Sequence, residues 1–455
     1  MAVTAEIMTE VLDNACRTLV VGLGETGLSV ARYLSRTGAQ VAIVDSREQP
    51  PALERLRAEL PDDVALFLGG FHPEAFARAE QIVISPGVSH DEPEIVRARE
   101  RNVPVIGDIE LFARVARAPV IAVTGSNGKS TVVTLVSAMA RRAGRDVRTG
   151  GNIGTPALDL IMATEPDLYV LELSSFQLET VQSLRPAVAV VLNISADHMD
   201  RYADLHAYAE AKQAIYRHAS VQVVNRDDGV AAALADATAT VVGYTLQAPS
   251  GNDFGIIETG NGRWLARGNE QLLPVDEMRM IGRHNQSNAL AALALGTAAG
   301  LPLPPMLETL REFHGLPHRM QFVAGHAGVS WYNDSKGTNV GATLAAIEGT
   351  DGPLVLIAGG DGKGADFSPL ADALADRARA VVVLGRDAPL LTRVLQPVTR
   401  VLQAGDMQEA VQLAAGAAQA CDTVLLSPAC ASTDMFRNYI ERGEVFMAAV
   451  ERLVH

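Results

Sequence analysis

Short apolar runs, rich in β-branched residues, alternate along this chain with longer stretches whose apolar positions follow a helical period. The runs at 18–21, 41–44, 81–84, 120–124, 167–172, 188–194, 354–358, 380–384 and 423–426 predict strands. Such uninterrupted apolar strands mark parallel sheets covered on both faces. Helices are predicted at 28–36, directly after 129, and over 204–219, the last with an amphipathic pattern that leaves Lys212 facing solvent. Between 252 and 280 the texture changes to short alternating runs, and Asn261-Gly262 predicts a β-hairpin excursion. An Ala/Leu-rich helix then starts from 282–288.

Polar and glycine residues are loaded at the ends of these strands. The run Val120-Ile121-Ala122-Val123-Thr124 enters Gly125-Ser126-Asn127-Gly128-Lys129-Ser130-Thr131 and a helical pattern leaves it. That layout suits a polyphosphate, because backbone N–H groups at a helix start face a concavity. Lys129 would reach the outer phosphates and the Ser130 hydroxyl would ligate Mg²⁺. The general pattern asks for glycine at 123, where this chain has Val123, so the loop is a shortened variant.

The first segment carries Gly22-Leu23-Gly24-Glu25-Thr26-Gly27 between two strands, with Asp45 closing the second. Alone, this fingerprint suggests NAD with Asp45 on the ribose. The glycines require only that a phosphate approach a helix N-terminus, so they do not identify the nucleotide. A third strand stops at Ser85-Pro86-Gly87-Val88. In the middle segment, Glu172 ends an apolar strand, Asp197-His198-Met199-Asp200 follows another, and Gly150-Gly151-Asn152-Ile153-Gly154 forms a further turn. Parallel strands would bring these ends to the phosphate loop, where Glu172 and His198 could complete a Mg²⁺ site with Ser130. In the last segment the polar clusters are His318-Arg319, residues 331–339, residues 359–364 and residues 427–432. The reading is three α/β domains, at 1–107, 108–315 and 316–455. The first and third are Rossmann-like, and the central one is a P-loop ATPase-like domain on a parallel sheet.

Composition narrows the function. The chain has 455 residues, of which 48% are hydrophobic and 5% aromatic, and a net charge of −15. That charge argues against a broad nucleic-acid surface. Cys16, Cys421 and Cys430 have neither disulfide-framework nor zinc spacing and read as small buried hydrophobes in a reducing compartment. No apolar run approaches the ~18 residues of a membrane span. Met1 to Leu12 carries acids and no basic region, which argues against a signal peptide. The expectation is a cytoplasmic protein without a membrane partner.

The motifs TGSNGKST (124–131), GGNIGTPA (150–157), LELSSFQLE (171–179), DHMDRY (197–202), NDSKGTN (333–339) and LSPACAS (426–432) together resemble those of the Mur ligases. These are cytoplasmic ATP-dependent amide ligases of peptidoglycan synthesis, and the likeness covers essentially the whole chain. The motifs are most similar to the D-glutamate-adding branch, whose short phosphate loop is of this form. The resemblance implies that the first domain binds UDP of the substrate, not NAD. It implies ATP and two Mg²⁺ ions, with UDP-N-acetylmuramoyl-L-alanine and D-glutamate as substrates, a monomer, and an acyl-phosphate intermediate.

By the same resemblance, Gly125 to Thr131, Asn285, Arg319 and Asp334 serve ATP. Lys129, Glu172, His198 and Lys212 are the catalytic set. Ser130, Glu172 and His198 hold metal, and Lys212 joins them as a carbamate. Glu25, Thr26, Ser46, Arg47, Ser85, Gly87 and Asn152 meet the UDP substrate, while Thr338, Lys363, Ser432 and Tyr439 hold D-glutamate. Either His198 or a metal-linked group takes the proton of the attacking amine. The rival expectations are a sister ligase adding another amino acid, a nicotinamide dehydrogenase built on Gly22 to Gly27, and a non-enzymatic nucleotide switch.

Overall fold

The structure, a computed structural model, describes residues 17–60, 64–161, 164–280, 282–350 and 352–454. The expectations for Met1 to Leu12 and for Cys16 lie outside the described residues. Three sheets follow one another along the chain. The first has the spatial order Ala65–Leu68, Gln40–Asp45, Arg17–Val21, Gln81–Ile84, Val105–Ile106, all parallel. The third has the order Gln321–His326, Val329–Asn333, Thr423–Leu426, Leu354–Gly359, Ala378–Leu384, Val401–Gln403, with only its first pair antiparallel.

In the middle sheet the phosphate-loop strand Val120–Thr124 lies between Leu168–Glu172 and Val188–Val191. Val147–Gly151 forms one edge; Val221–Asn225 and Thr240–Tyr244 continue the other side. The expected hairpin extends that side with Phe254–Thr259, Gly262–Arg267 and Glu270–Pro274, the last two pairings antiparallel. Its turn sits one residue earlier than expected. Thr259 pairs with Gly262, so Gly260-Asn261 is the two-residue loop.

The elements form where their sequences dictate. All of Val120–Thr124 is buried, and so are the strands either side of it, because helices cover both faces. Helix Arg283–Ala298 is apolar around its circumference from Ala289 to Gly296, and that stretch is buried between the sheet and helix Lys129–Arg142. Helix Glu25–Arg36 begins three residues before the predicted start, since Glu25 to Gly27 already form its first turn. A Cβ on Gly27 would stand 1.9 Å from the carbonyl oxygen of Gly22, so only glycine lets the helix seat on its turn. One expectation is overturned. Cys421 is exposed rather than buried, because it sits in a left-handed turn (φ 72°) between helix Met407–Ala417 and strand Thr423–Leu426.

Asp108 opens helix Asp108–Val115 at the joint between the first two sheets. Its carboxyl is buried. Oδ2 accepts from Gln177 Nε2 at 3.0 Å, and among the described residues Oδ1 has no partner. Burial pushes its pKa from 3.8 up to about 6. Between these values the native chain binds more protons than the unfolded one, so stability falls as pH rises through the window. Asp108→Asn should remove that slope. The variant's advantage in unfolding midpoint should grow from about pH 4 to about pH 6 and then level off, reaching roughly 3 kcal/mol at most. A difference that does not vary with pH would refute the buried-acid account.

Candidate active site

The phosphate loop is short because its strand is long. Val123 is an interior strand residue, fully buried and paired with Glu172 and Val190, so the turn runs only from Gly125 to Gly128. Gly128 caps helix Lys129–Arg142 in the left-handed region (φ 84°), where a Cβ would also strike Asn288 Oδ1 at 2.5 Å. Lys129 folds over the loop, its Nζ donating to the carbonyls of Gly125 (2.7 Å) and Ser126 (2.9 Å). Burial holds its pKa below the ordinary lysine value, with Arg319 adding to the effect and Glu172 and Asp197 opposing it. From the third sheet's side, Arg319 Nη2 donates to Ser130 Oγ at 3.3 Å.

A cavity of ≈ 260 Å³ opens beside this loop, lined by Asn127, Gly128, Thr131, Asn285, Arg319 and Asp334 among others. Six of the expected nucleotide residues therefore meet there. Asp334 is buried, its carboxylate accepting from Ser427 Oγ (2.7 Å) and the N–H of Met320 (3.2 Å); burial pushes its pKa up to about 6. His284, Asn288, Asn193 and Asp228 also line the cavity and were not anticipated.

Behind the loop lies a cluster of buried charges. Glu172 Oε1 accepts from Asn152 Nδ2 at 2.9 Å, while Oε2 is buried and has no partner among the described residues. Lys212 is only 2% exposed, against the expectation from its helical pattern. Helix Leu205–Gln213 packs its lysine face inward, so that Nζ donates to the carbonyl of Gly125 at 3.1 Å and lies 4.5 Å from the Tyr208 ring centroid. Burial drives its pKa well below the ordinary value, and Lys129 pushes the same way. His198 has a left-handed backbone (φ 58°); its ring sits 4.8 Å from Phe176, and burial lowers its pKa, which favours the neutral imidazole.

Among the described residues, no three His, Cys, Asp or Glu side chains converge on one metal position. A divalent cation fits this cluster on different grounds. The orphaned Glu172 Oε2 is a buried acceptor without a donor, and Ser130 and His198 lie on neighbouring loops. The Lys212 ammonium suits such an ion only if it surrenders its charge.

A second cleft, of ≈ 640 Å³, lies between the first and middle sheets. It is lined by all seven residues expected to meet the UDP substrate: Glu25, Thr26, Ser46, Arg47, Ser85, Gly87 and Asn152. Asn152 joins it to Glu172. Asp45 also lines it, but not as a free ribose acceptor. The turn at Gly22 brings the N–H of Leu23 onto Asp45 Oδ2 (2.7 Å), and Arg47 grips both oxygens. Burial raises the Asp45 pKa, but the Arg47 and Leu23 hydrogen bonds outweigh it and hold the carboxyl below the ordinary range.

The four residues expected to hold D-glutamate lie at the C-terminal edge of the third sheet. Thr338 follows strand Val329–Asn333, Lys363 follows Leu354–Gly359, Ser432 follows Thr423–Leu426, and Tyr439 starts the last helix. The Lys363 and Ser432 loops are tied together, Asp361 and Ala431 exchanging two backbone hydrogen bonds (3.0 and 2.8 Å). Two functional candidates were missed. Lys336, at the centre of a quoted motif, lies 3.7 Å from the Tyr439 ring centroid with its pKa pushed down to about 8 by burial and by Arg319. Arg442 is buried in the last helix, where it donates to Ser335 Oγ and to the carbonyls of Ser335 and Cys430 at 2.8–3.1 Å. No sequence pattern distinguishes it from an exposed helix arginine.

Three family models match the chain. One described as Mur ligase MurD-like, N-terminal domain, matches residues 16–107; Mur ligase middle domain matches 123–296; Mur ligase, glutamate ligase domain, matches 318–430. The UDP-N-acetylmuramoylalanine--D-glutamate ligase of Nitrosococcus oceani is 54% identical over 442 residues, 97% of each chain. The protein of the same name from Marinobacter nauticus is 53% identical, over 96% of this chain and 98% of its own. Among solved structures, the UDP-N-acetylmuramate-alanine ligase of Thermotoga maritima shares the fold with a TM-score of 0.59 at 19% identity, covering 96% of this chain and 100% of that one. A pseudomurein peptide ligase type C from Methanothermus fervidus gives 0.59 at 18% identity over the same shares.

Proposed function

The chain belongs to the Mur ligase family, and from that membership we propose its reaction: the ATP-dependent joining of D-glutamate to UDP-N-acetylmuramoyl-L-alanine in peptidoglycan precursor synthesis. The observation that carries the assignment is identity of 50–54% with relatives of that name along nearly the whole chain. The arrangement of the clefts supports it. Two face phosphate-suited turns, and the third sheet turns its polar strand ends toward the phosphate loop.

A carboxylate is a poor acyl donor, because its negative charge repels a nucleophile and oxide is a poor leaving group. In the proposed reaction the alanyl carboxylate of the UDP substrate attacks the γ-phosphorus of ATP, ADP leaves, and an acyl phosphate forms. The amine of D-glutamate attacks the acyl carbon, and the tetrahedral adduct expels phosphate. Lys129 and the loop N–H groups balance charge on the transferring phosphoryl group, and catalysis there is mostly positioning and electrostatics. Asn285, Arg319 and Asp334 hold the nucleotide; the seven residues of the larger cleft hold the UDP moiety. His198, whose lowered pKa favours the neutral imidazole, or a metal-linked group takes the amine proton. Thr338, Lys363, Ser432 and Tyr439 position the amino acid.

Ser130, Glu172, His198 and a carbamylated Lys212 would hold magnesium, two ions being the number the resemblance implies. When bound, it neutralises phosphate charge. We take the domain limits to be 1–107, 108–315 and 316–455. We place the chain in the cytoplasm as a monomer, without nucleic-acid or membrane partners. Among the described residues, no helix is long and apolar enough to cross a membrane.

The reading is tested by ADP release with UDP-N-acetylmuramoyl-L-alanine across a panel of amino acids. Lys363 and the Ser432 turn should fix both carboxylates of glutamate and leave one enantiomer's amine aimed at the acyl carbon. D-glutamate should be consumed and L-glutamate should not. Comparable rates with L-glutamate, or better ones with L-alanine, would move the chain to a sister ligase.

A further inference from the structure

The middle and third units meet at a pair of asparagines. Asn339 is the N-cap of helix Val340–Glu348, its Oδ1 accepting from the N–H of Ala342 at 2.8 Å. The same side chain reaches out of its unit. Nδ2 donates to Asn127 Oδ1 (3.2 Å) and to Asp197 Oδ2 (3.2 Å), and Asn127 Nδ2 donates back to Asn339 Oδ1 (3.3 Å). Asn127 is itself pinned, its N–H donating to Asn193 Oδ1 at 2.8 Å and its Nδ2 reaching Ser195 Oγ at 3.4 Å. Two residues beyond Asn339 the chain packs directly against the Ser195 side chain. A Cβ on Gly341 would stand 2.7 Å from Ser195 Oγ and 2.9 Å from Ser195 Cβ.

Capping alone does not explain this residue. Serine, threonine or aspartate would cap the helix equally well, since a cap needs only an acceptor oxygen. Only asparagine adds donors that face outward, and aspartate would set a second carboxylate against Asp197. The pair is also placed where it can carry information. One member is a turn residue of the phosphate loop; the other follows Thr338 directly on the loop expected to meet the amino acid.

We propose that Asn339, acting through Asn127, is a positioning residue that clamps the third unit onto the phosphate loop, with Gly341 on Ser195 setting how closely the two approach. The nucleotide and amino-acid sites are thereby coupled: holding one ligand favours the arrangement that binds the other. This rests on the assignment of ATP to the loop and of D-glutamate to the third unit.

The test is steady-state ADP release by the full chain with its three substrates. Asn339→Ser keeps a capping oxygen and withdraws the outward amide donors; Asn127→Ala removes the other half of the pair. Each variant should raise KM for both ATP and D-glutamate, roughly tenfold for the two neutral Asn127–Asn339 hydrogen bonds, with kcat changing less and the unfolding midpoint unmoved. The double variant should fall well short of the sum of the two single losses, because both remove that shared pair of bonds. Gly341→Ala should raise both constants too, and Ser195→Gly in that background should restore them. The clamp is overturned if each variant raises KM only for the ligand of its own unit, if the losses add, if kcat alone falls, or if Gly341→Ala is silent. Failure of the underlying assignment would show separately, as unmutated protein that releases no ADP on addition of D-glutamate.

Discussion

Lys129→Ala is expected to lower kcat by at least about 10²-fold, equivalent to about 2.7 kcal/mol of barrier. Lys129 is the one cation within the turn from Gly125 to Thr131, and its Nζ already lies over the carbonyls of Gly125 and Ser126, where outer phosphates of a bound nucleotide would be met. As negative charge spreads over the transferring phosphoryl group, the ammonium is a preorganised partner in a site largely closed to water. Its removal leaves the loop backbone intact, because the left-handed Gly128 and the Thr124 Oγ1 bond to Leu173 (2.7 Å) hold the turn. The unfolding midpoint should therefore stay near that of the unmutated chain while turnover collapses. Wild-type-like ADP release by the variant would sink the assignment of the loop.

Lys212→Ala should be comparably severe, for a different reason. A lysine this deeply buried, with a carbonyl and an aromatic ring as its neighbours, is costly to keep charged. The depressed pKa enlarges the neutral fraction at pH 7, and a neutral amine reacts with CO₂ to give a carbamate, whose negative charge suits a position beside a cation. Alanine here should cut turnover at least about 10²-fold, the scale seen when a single preorganised charge partner is lost. The fold should survive, because a buried ammonium that is costly to keep charged is removed. Formate or acetate should restore part of the rate by filling the vacated anion position. Near-normal turnover of the variant, together with a high-resolution map showing unmodified lysine under bicarbonate, would return Lys212 to a structural role.

The same lysine marks where reading from sequence stops. Strands and their polar ends were legible because continuous apolar runs leave few alternatives: Gln81–Ile84 and Thr423–Leu426 begin and end where the pattern puts them. Glu172 was legible as an acid closing such a run beside the phosphate loop. Lys212 was not, because a helix's polar stripe faces solvent only if nothing polar covers it, and here the Gly125 carbonyl and the Tyr208 ring do. Lys336 was visible within a motif but had no role, which arises from its packing against Tyr439. Asn339 was visible as the end of the same motif but had no role, because its bonds to Asn127 and Asp197 cross to another unit. The exposed Cys421 misled in the opposite sense, since small apolar character said nothing of the left-handed turn it occupies.

The order of strands has a consequence for how the chain is made. In the first sheet every strand pairs with neighbours synthesised within the same 106 residues, so that unit can close early during translation. In the third, Thr423–Leu426 is inserted between Val329–Asn333 and Leu354–Gly359, and those two do not pair with each other. Until the ribosome has released residue 426 the two earlier strands lack the partner that joins them, and the loops bearing Thr338 and Lys363 have no common frame. A chain halted between the end of the middle sheet and residue 426 would carry two finished units and an unzipped third. The proposed amino-acid pocket is thus late to come into being, and a premature stop codon anywhere before residue 426 would erase it.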